Sequence, residues 1–153
     1  EKKYSILKQN FTNPENIDQN NLIIFENNLC FETSDFKNNK FKKIYIVSNN
    51  NQNRCIKLSE KVLKFKSSLI HDQEQRFKNQ SINCEIIDIS EIKKIEKVVG
   101  LYPTIGENLD YLNSNAYKIN FLHRELDRYS WQYCNKGFFN FKNYIPKIIS
   151  TFN

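Results

Sequence analysis

Residues 42–48, KKIYIVS, form the clearest predicted β-strand of this 153-residue chain. The stretch is rich in β-branched and aromatic residues and lies between asparagine-rich turns, which is typical of a strand. A helix is predicted from about residue 56 to 78, and a second strand follows at residues 82–89, INCEIIDI. This order of strand, helix and strand predicts that residues 42–48 and 83–89 are parallel neighbours in one sheet.

Weaker patterns complete the predicted architecture. Residues 22–25 and 29–32 are predicted to be two strands of a hairpin that turns at Glu26-Asn27-Asn28. Helices are predicted over residues 91–99, after an N-cap at Ser90, then over 107–112 and 116–134, with Gly137 in the C-cap region. Within the helix from residue 56, one apolar stripe is formed by Leu58, Val62, Phe65 and Leu69.

The predicted fold class is therefore α+β, or possibly α/β. We expect a small mixed sheet from the N-terminal half, helices packed against it and a helical C-terminal third. Residues 1–153 are predicted to be a single domain, in which residues 1–21 are polar, rich in asparagine and loosely ordered.

The amino-acid composition indicates an AT-rich gene, because the chain has one alanine, Ala116, and only three glycines and three prolines. The net charge of +6 favours polyanionic partners, but 19 of the 23 basic residues are lysines, which AT-rich codons supply freely. Arginines run against this bias and carry more information; they are Arg54, Arg76, Arg124 and Arg128.

Cysteine spacing predicts neither a metal centre nor a disulfide scaffold. Cys30, Cys55, Cys84 and Cys134 form no CxxC pair, so they are interpreted as buried, reduced thiols. No cofactor, metal ligand set or catalytic residue is predicted, and no apolar run reaches the length of a membrane span. We expect an intracellular protein of the nucleus or an organelle.

Two clusters of basic and aromatic residues are candidate nucleic-acid contacts. On the predicted helix, Arg124, Arg128 and Trp131 share one face, where a phosphate could lie between the guanidinium groups and a base could stack on the indole. The alternative is that Asp127 pairs with Arg124, Glu125 pairs with Arg128 and Trp131 anchors the core. The second cluster, on the predicted strand, consists of Lys40, Lys42, Lys43 and Tyr45, with a solvated strand edge as its alternative.

His123 and Asp127 stand four residues apart, so the carboxylate could orient the imidazole as a general base. A surface ion pair explains the same spacing.

The segment Tyr102-Pro103-Thr104-Ile105-Gly106 resembles the hairpin of helix-hairpin-helix proteins, which typically reads Leu-Pro-Gly-Ile-Gly. Pro103, Ile105 and Gly106 match, whereas Thr104 replaces the first hairpin glycine. In base-excision glycosylases of this family a catalytic aspartate follows about twenty residues later, where Asp127 stands. The resemblance thus implies a DNA-processing enzyme, although Glu107 and Asn108 occupy the place of the lysine that bifunctional members carry.

Three classes of function remain open. The first is a non-catalytic basic module that binds nucleic acid or belongs to a nucleoprotein assembly. The second is a structural subunit of a larger complex that contacts protein partners through an aromatic tail, formed by Phe138, Phe139, Phe141 and Tyr144. The third is the DNA-processing enzyme that uses Asp127.

Overall fold

A computed structural model describes residues 12–29 and 31–152 of the chain. These residues form two compact units. We call Pro14–Leu122 the sheet unit, and residues 12–13 with 123–152 the terminal unit. Most of the predicted loosely ordered segment, residues 1–11, lies outside the described part of the chain, and the single-domain assignment stays a prediction.

A five-stranded sheet forms the centre of the sheet unit. The strands are β1 (Asn21–Phe25), β2 (Lys43–Ser48), β3 (Cys84–Asp88), β4 (Val98–Leu101) and β5 (Asn120–Leu122). Their spatial order is β3-β2-β1-β4-β5, and all four pairs are parallel. Of the two predicted classes, α+β or possibly α/β, the parallel sheet corresponds to α/β, and the parallel pairing of the two clearest strands is confirmed. The predicted mixed sheet is wrong, because no described pair is antiparallel.

β1 is the central strand rather than half of a hairpin. It pairs with β2 on one side and β4 on the other, and its last four residues are buried. Such a continuous apolar run suits a strand that is covered on both faces. The predicted partner at residues 29–32 is wrong, since Phe31–Thr33 forms a short 3₁₀ turn.

One helix covers each face of the sheet. Beneath α1 (Glu60–Asn79), a core cluster joins Leu22 and Ile24 of β1 to Ile70 and Phe77 of the helix. On the opposite face, Ile23 and Phe25 belong to a second cluster that includes Leu112 of α2 (Glu107–Ser114). Alternate residues of β1 therefore supply both cores, which gives a helix–sheet–helix arrangement of three layers.

The buried face of α1 is not the predicted apolar stripe. Val62, Phe65 and Leu69 are exposed, whereas Ile70, Gln73 and Phe77 are buried. The buried set has the spacing i, i+3 and i+7, so it also defines one helix face. Apolar periodicity did not predict this face, because its middle residue, Gln73, is polar and interrupts the apolar pattern.

Two predicted helices are partly replaced by strands. Asp88 caps a 3₁₀ segment at Ile89–Lys94, after which β4 begins. The predicted helix over residues 116–134 is wrong in its first half, where β5 forms and Leu122 joins the core. β4 also requires a glycine at Gly100, because a Cβ atom there would lie 2.8 Å from Cγ1 of Ile23.

The terminal unit is helical, as predicted for the C-terminal third. It contains α3 (Glu125–Trp131), α4 (Phe138–Phe141) and α5 (Ile145–Phe152). Stacking of Tyr133 on Tyr144, with ring centroids 4.4 Å apart, and edge contact of Tyr129 with Phe152 at 5.4 Å join these elements. The predicted C-cap role of Gly137 is wrong, because Gly137 is the N-cap of α4.

Candidate functional site

The strand order creates a natural crevice at the carboxyl ends of β1 and β4. From β1 the chain proceeds to β2 and β3 on one side, and then crosses to β4 and β5 on the other. The segments that leave β1 and β4 therefore diverge. In open α/β sheets, ligands bind at this switch point, outside the carboxyl ends of the strands.

A buried cluster of charges lies at this point. Glu26 follows β1 directly, and its carboxylate accepts hydrogen bonds from Arg54 and, at 2.9 Å, from Nζ of Lys66. Arg54 also donates to the carboxylate of Glu107, the first residue of α2. The side chains of Glu26 and Arg54 are each only 4% exposed. We call these four residues the charge cluster.

The loop that carries Arg54 is held by its own asparagines. Nδ2 of Asn53 donates to Asp88 at the end of β3, at 3.0 Å. Asn51 closes the loop by exchanging two hydrogen bonds of 2.9 Å with the backbone of Leu58. Nε of Arg54 donates to the carbonyl oxygen of Asn49 at 3.0 Å. These hydrogen bonds therefore hold the guanidinium group in position.

A second set of amides joins the loops that follow β1, β2 and β4. Nδ2 of Asn49 donates to Oδ1 of Asn108 at 3.0 Å, and Nδ2 of Asn108 lies 3.5 Å from Oδ1 of Asn27. Nδ2 of Asn27 in turn donates to the carbonyl oxygen of Pro103 at 2.6 Å. These bonds fix the width of the crevice.

These loops line a cavity of about 140 Å³ that is open to solvent on one side. It is lined by the charge cluster together with Asn27, Pro103, Gly106 and Asn108. Gly106 has a φ of 145°, a backbone conformation that favours glycine, and it is the N-cap of α2. The lining thus combines two carboxylates, two cations and two amides, and Pro103 is its one apolar side chain.

The predicted lysine cluster lies at the opposite, amino edge of the sheet and is divided between two environments. Lys40 lines a larger cavity of about 380 Å³, together with Lys37, Phe31 and Phe41. Lys43 pairs with Glu85, whose hydrogen bond raises the pKa of the lysine, and its Nζ lies 5.0 Å from the centroid of the Tyr45 ring. Lys42 is exposed.

The predicted cluster of Arg124, Arg128 and Trp131 does not form one helix face. Arg124 precedes α3 in an extended conformation, and its guanidinium group binds Asp127 at 2.8 and 3.2 Å. The ring of Trp131 makes an edge contact with His123 at 5.8 Å. The alternative pairing of Asp127 with Arg124 is therefore confirmed. Arg128 is exposed.

Both oxygens of Asp127 accept hydrogen bonds from Arg124, and its predicted orienting of His123 stays a prediction. Tyr102–Gly106 connects a strand to a helix, so the predicted helix-hairpin-helix arrangement is wrong. In the aromatic tail, Phe138 and Phe139 are exposed, whereas Tyr144 stacks on Tyr133.

The cysteine prediction is only partly tested. Cys55 and Cys134 are exposed, which contradicts burial, and Cys84 is half-buried. All three are free thiols, whereas Cys30 lies outside the described residues. Within residues 12–29 and 31–152, no three histidine, cysteine or acidic side chains form a possible metal site.

The fold and the crevice define a parallel α/β sheet protein with a polar cavity at its switch point. Comparisons with protein-family models, with curated proteins and with solved structures found no match. None of the helices that the structure describes is both long and apolar enough to cross a membrane.

The sequence interpretation missed the whole charge cluster. Glu26 was assigned to a hairpin turn, and Glu107 and Asn108 were assigned to a predicted helix and compared with the helix-hairpin-helix motif. One signal was available: Arg54 is among the four arginines that the codon bias disfavours. A second signal is positional, since Glu26, Asn49 and the segment from Tyr102 to Asn108 each follow a strand.

Proposed function

We propose that this protein binds a small polar ligand in the 140 Å³ cavity at the carboxyl ends of β1 and β4. The observation that carries the proposal is that Glu26 and Arg54, almost fully buried, line a cavity at the topological switch point. Binding alone is proposed, because the cavity lining does not identify a reaction.

Energetics supports a binding role for these charges. Removing an ion pair from water costs several kcal/mol for each ion, so apolar residues of similar volume often stabilise a fold as well or better. Charged side chains that converge on a cavity are therefore better explained by ligand recognition than by stability. Lys66 and Glu107, which are 28% and 32% exposed, provide the part of the cluster that solvent and a ligand can reach.

The usual dinucleotide mode is not supported. That mode places a pyrophosphate on a glycine-rich turn and the helix that follows the first strand. Here β1 is followed by Glu26-Asn27-Asn28, and the segment between β1 and β2 has no glycine; its described residues, 26–29 and 31–42, contain one short 3₁₀ turn and no longer helix.

A ligand screen on matched variants tests the proposal. Isothermal titration with nucleoside phosphates, sugar phosphates, monosaccharides and dicarboxylates would identify a ligand. Lys66→Met should then weaken its binding by roughly 10- to 100-fold, because a hydrogen bond to a charged group contributes about 1.5–3 kcal/mol. Lys64→Met, on an exposed part of the same helix, is the control. Equal affinity in both variants, or no ligand in the whole panel, would contradict the proposal.

Nucleic-acid binding at the amino edge is the second candidate function. It is favoured by the 380 Å³ cavity, in which Lys37 and Lys40 lie beside Phe31 and Phe41. Basic and aromatic side chains together suit a phosphate backbone and a stacked base. The earlier prediction of a basic module in a nucleoprotein assembly, in the nucleus or an organelle, belongs to this candidate.

Filter binding of single-stranded RNA at several salt concentrations tests the second candidate. Replacing Lys37 and Lys40 by glutamine should weaken binding and reduce the slope of log K against log salt by about 1.4, or 0.7 for each lost phosphate contact. The same double replacement at Lys93 and Lys94 is the control, since these lysines lie outside the cavity.

The protein-partner role of the aromatic tail rests on exposed Phe138 and Phe139, and co-purification of a stoichiometric partner would test it.

A further inference from the structure

The volume of the cavity limits what can enter it. A cavity of about 150 Å³ holds a benzene molecule, whereas complete drug-sized ligands occupy roughly 300–1,000 Å³. At about 140 Å³ the cavity therefore admits one ring, and the remainder of a larger ligand would lie outside.

The lining disfavours an aromatic base and a lone phosphate. An aromatic base needs an apolar wall, and Pro103 is the single apolar side chain among the cavity residues. A lone phosphate would meet the carboxylates of Glu26 and Glu107 as well as the two cations, so its charge would gain little net attraction.

A ring with several hydroxyl groups matches the remaining chemistry. Each hydroxyl can donate one hydrogen bond and accept others, whereas a carboxylate only accepts and an ammonium group only donates. Glu107 and Lys66, at the exposed side of the charge cluster, offer one of each, and the amide of Asn108 offers both. Neighbouring hydroxyls could thus donate to Glu107 and accept from Lys66.

Building on the proposed binding function, we infer that the cavity takes a sugar ring with adjacent hydroxyl groups. Glu107 and Lys66 contact the hydroxyls, while Arg54 and Glu26 act as positioning residues that hold those two side chains. The ring can come from the ribose of a nucleotide or from a free or glycosidically linked monosaccharide.

Saturation-transfer NMR tests the inference with defined probes: methyl β-ribofuranoside, methyl α-glucopyranoside, uridine 5′-monophosphate and its 2′,3′-dideoxy analogue. Transfer to the ring protons of a glycoside would support the monosaccharide source. Binding of the nucleotide that falls at least tenfold in the dideoxy analogue would support the ribose source. Either affinity should fall at least tenfold in Glu107→Gln and stay unchanged in Asp110→Asn, an exposed acid of the same helix.

The experiments distinguish a wrong ligand class from a cavity that does not bind ligands at all. Equal binding of uridine monophosphate and its dideoxy analogue, lost in Lys66→Met, would overturn the sugar ring but retain the cavity as a binding site. Sugar binding that survives in both Glu107→Gln and Lys66→Met would overturn both. If none of the four probes binds, the inference is wrong, while a ligand found in the wider panel would still support the proposed function. Thermal melting of each variant establishes whether it is folded. If Glu107→Gln does not fold, Lys66→Met is the test variant in its place.

Discussion

The two edges of the sheet use the same types of residue in opposite ways. At the carboxyl edge, Arg54 and Glu26 are buried and take part in a connected set of hydrogen bonds. At the amino edge, Lys43 and Glu85 form a pair whose side chains are 27% and 52% exposed. A charge pair therefore marks a candidate binding site only when it is buried and joined to further hydrogen bonds. The amino-acid composition of this chain reveals neither property.

Asparagines differ between the edges in the same way. Asn49 and Asn108 are buried and bonded to each other at the carboxyl edge. Asn39 donates to an exposed carboxylate, that of Asp18, before β2. The asparagines that a codon bias favours thus form a buried amide network at one edge and an exposed hydrogen bond at the other.

The largest expected effect is the loss of the buried guanidinium group. Arg54→Met removes the guanidinium group that Glu26 and Glu107 share, and leaves the buried carboxylate of Glu26 with the partly exposed Lys66 as its cationic partner. Breaking a buried ion pair in this way costs about 3–5 kcal/mol. Urea unfolding monitored by circular dichroism measures the change, and a loss below about 1 kcal/mol would remove the contrast between the edges.

The amide network is expected to contribute less. Asn108→Ala leaves Nδ2 of the buried Asn49 without its acceptor, at a cost of about 1–3 kcal/mol. Asn39→Ala at the amino edge removes an exposed hydrogen bond and should change the free energy of unfolding by no more than about 0.5 kcal/mol. Similar values for the two variants would contradict the proposed difference in burial.

The exposed ion pair should be weak and sensitive to salt. Lys43→Met is expected to destabilise the protein by about 0–1 kcal/mol, because solvent screens the interaction with Glu85. That small difference should fade between 0.1 and 1 M NaCl, where the Debye length drops from about 10 to 3 Å. A salt-independent loss in urea unfolding would show that packing on Tyr45 is the main contribution.

The two edges should also differ in how fast their cysteines are chemically modified, which is a smaller effect. Burial raises the pKa of Cys84 at the start of β3, so less of its reactive thiolate is present at neutral pH. Cys55, in the loop at the carboxyl edge, is exposed. We expect iodoacetamide to modify Cys55 several-fold faster than Cys84, as followed by peptide mass mapping with Cys134 as an exposed reference. Faster labelling of Cys84 would contradict its burial.

The smallest expected effect is a pH dependence at Asp18. Hydrogen bonds from Asn39 and then from the backbone of Lys40 lower the pKa of this carboxyl group. The ionised form is therefore favoured by folding, and its contribution is present above the unfolded pKa and lost as pH falls through the folded one. Asp18→Asn should lower the melting temperature slightly at pH 7 and not at pH 2; equal shifts at both would contradict the assignment.

The sequence predicted the fold better than the site. Residues 42–48 and 82–89 were recognisable because local propensity and tertiary burial agree there. β1 was placed correctly in the chain but given the wrong partner, since pairing is decided by distant segments. β5 was missed because Ile119 and Leu122 also fit a helical spacing. In the folded protein these side chains pack in the two core clusters, and that packing favours the strand.

The site was not predictable from residue types alone. Arg54 is 28 residues from Glu26 and 53 from Glu107, and no local pattern joins them. Pro103 and Gly106 were singled out by the helix-hairpin-helix resemblance, and both residues do line the cavity. Their role lies in the loop after β4 rather than in a helical hairpin.

These separations also bear on the order of events during synthesis. While the ribosome is still making residues near 100, Glu26 and Arg54 can already meet, but Glu107 is not yet available. Contacts distant in the chain form late, because loop closure must precede them. The nascent protein can thus form β1, β2 and β3 before its cavity is complete, and a chain stalled there would carry Arg54 with one carboxylate in place of two.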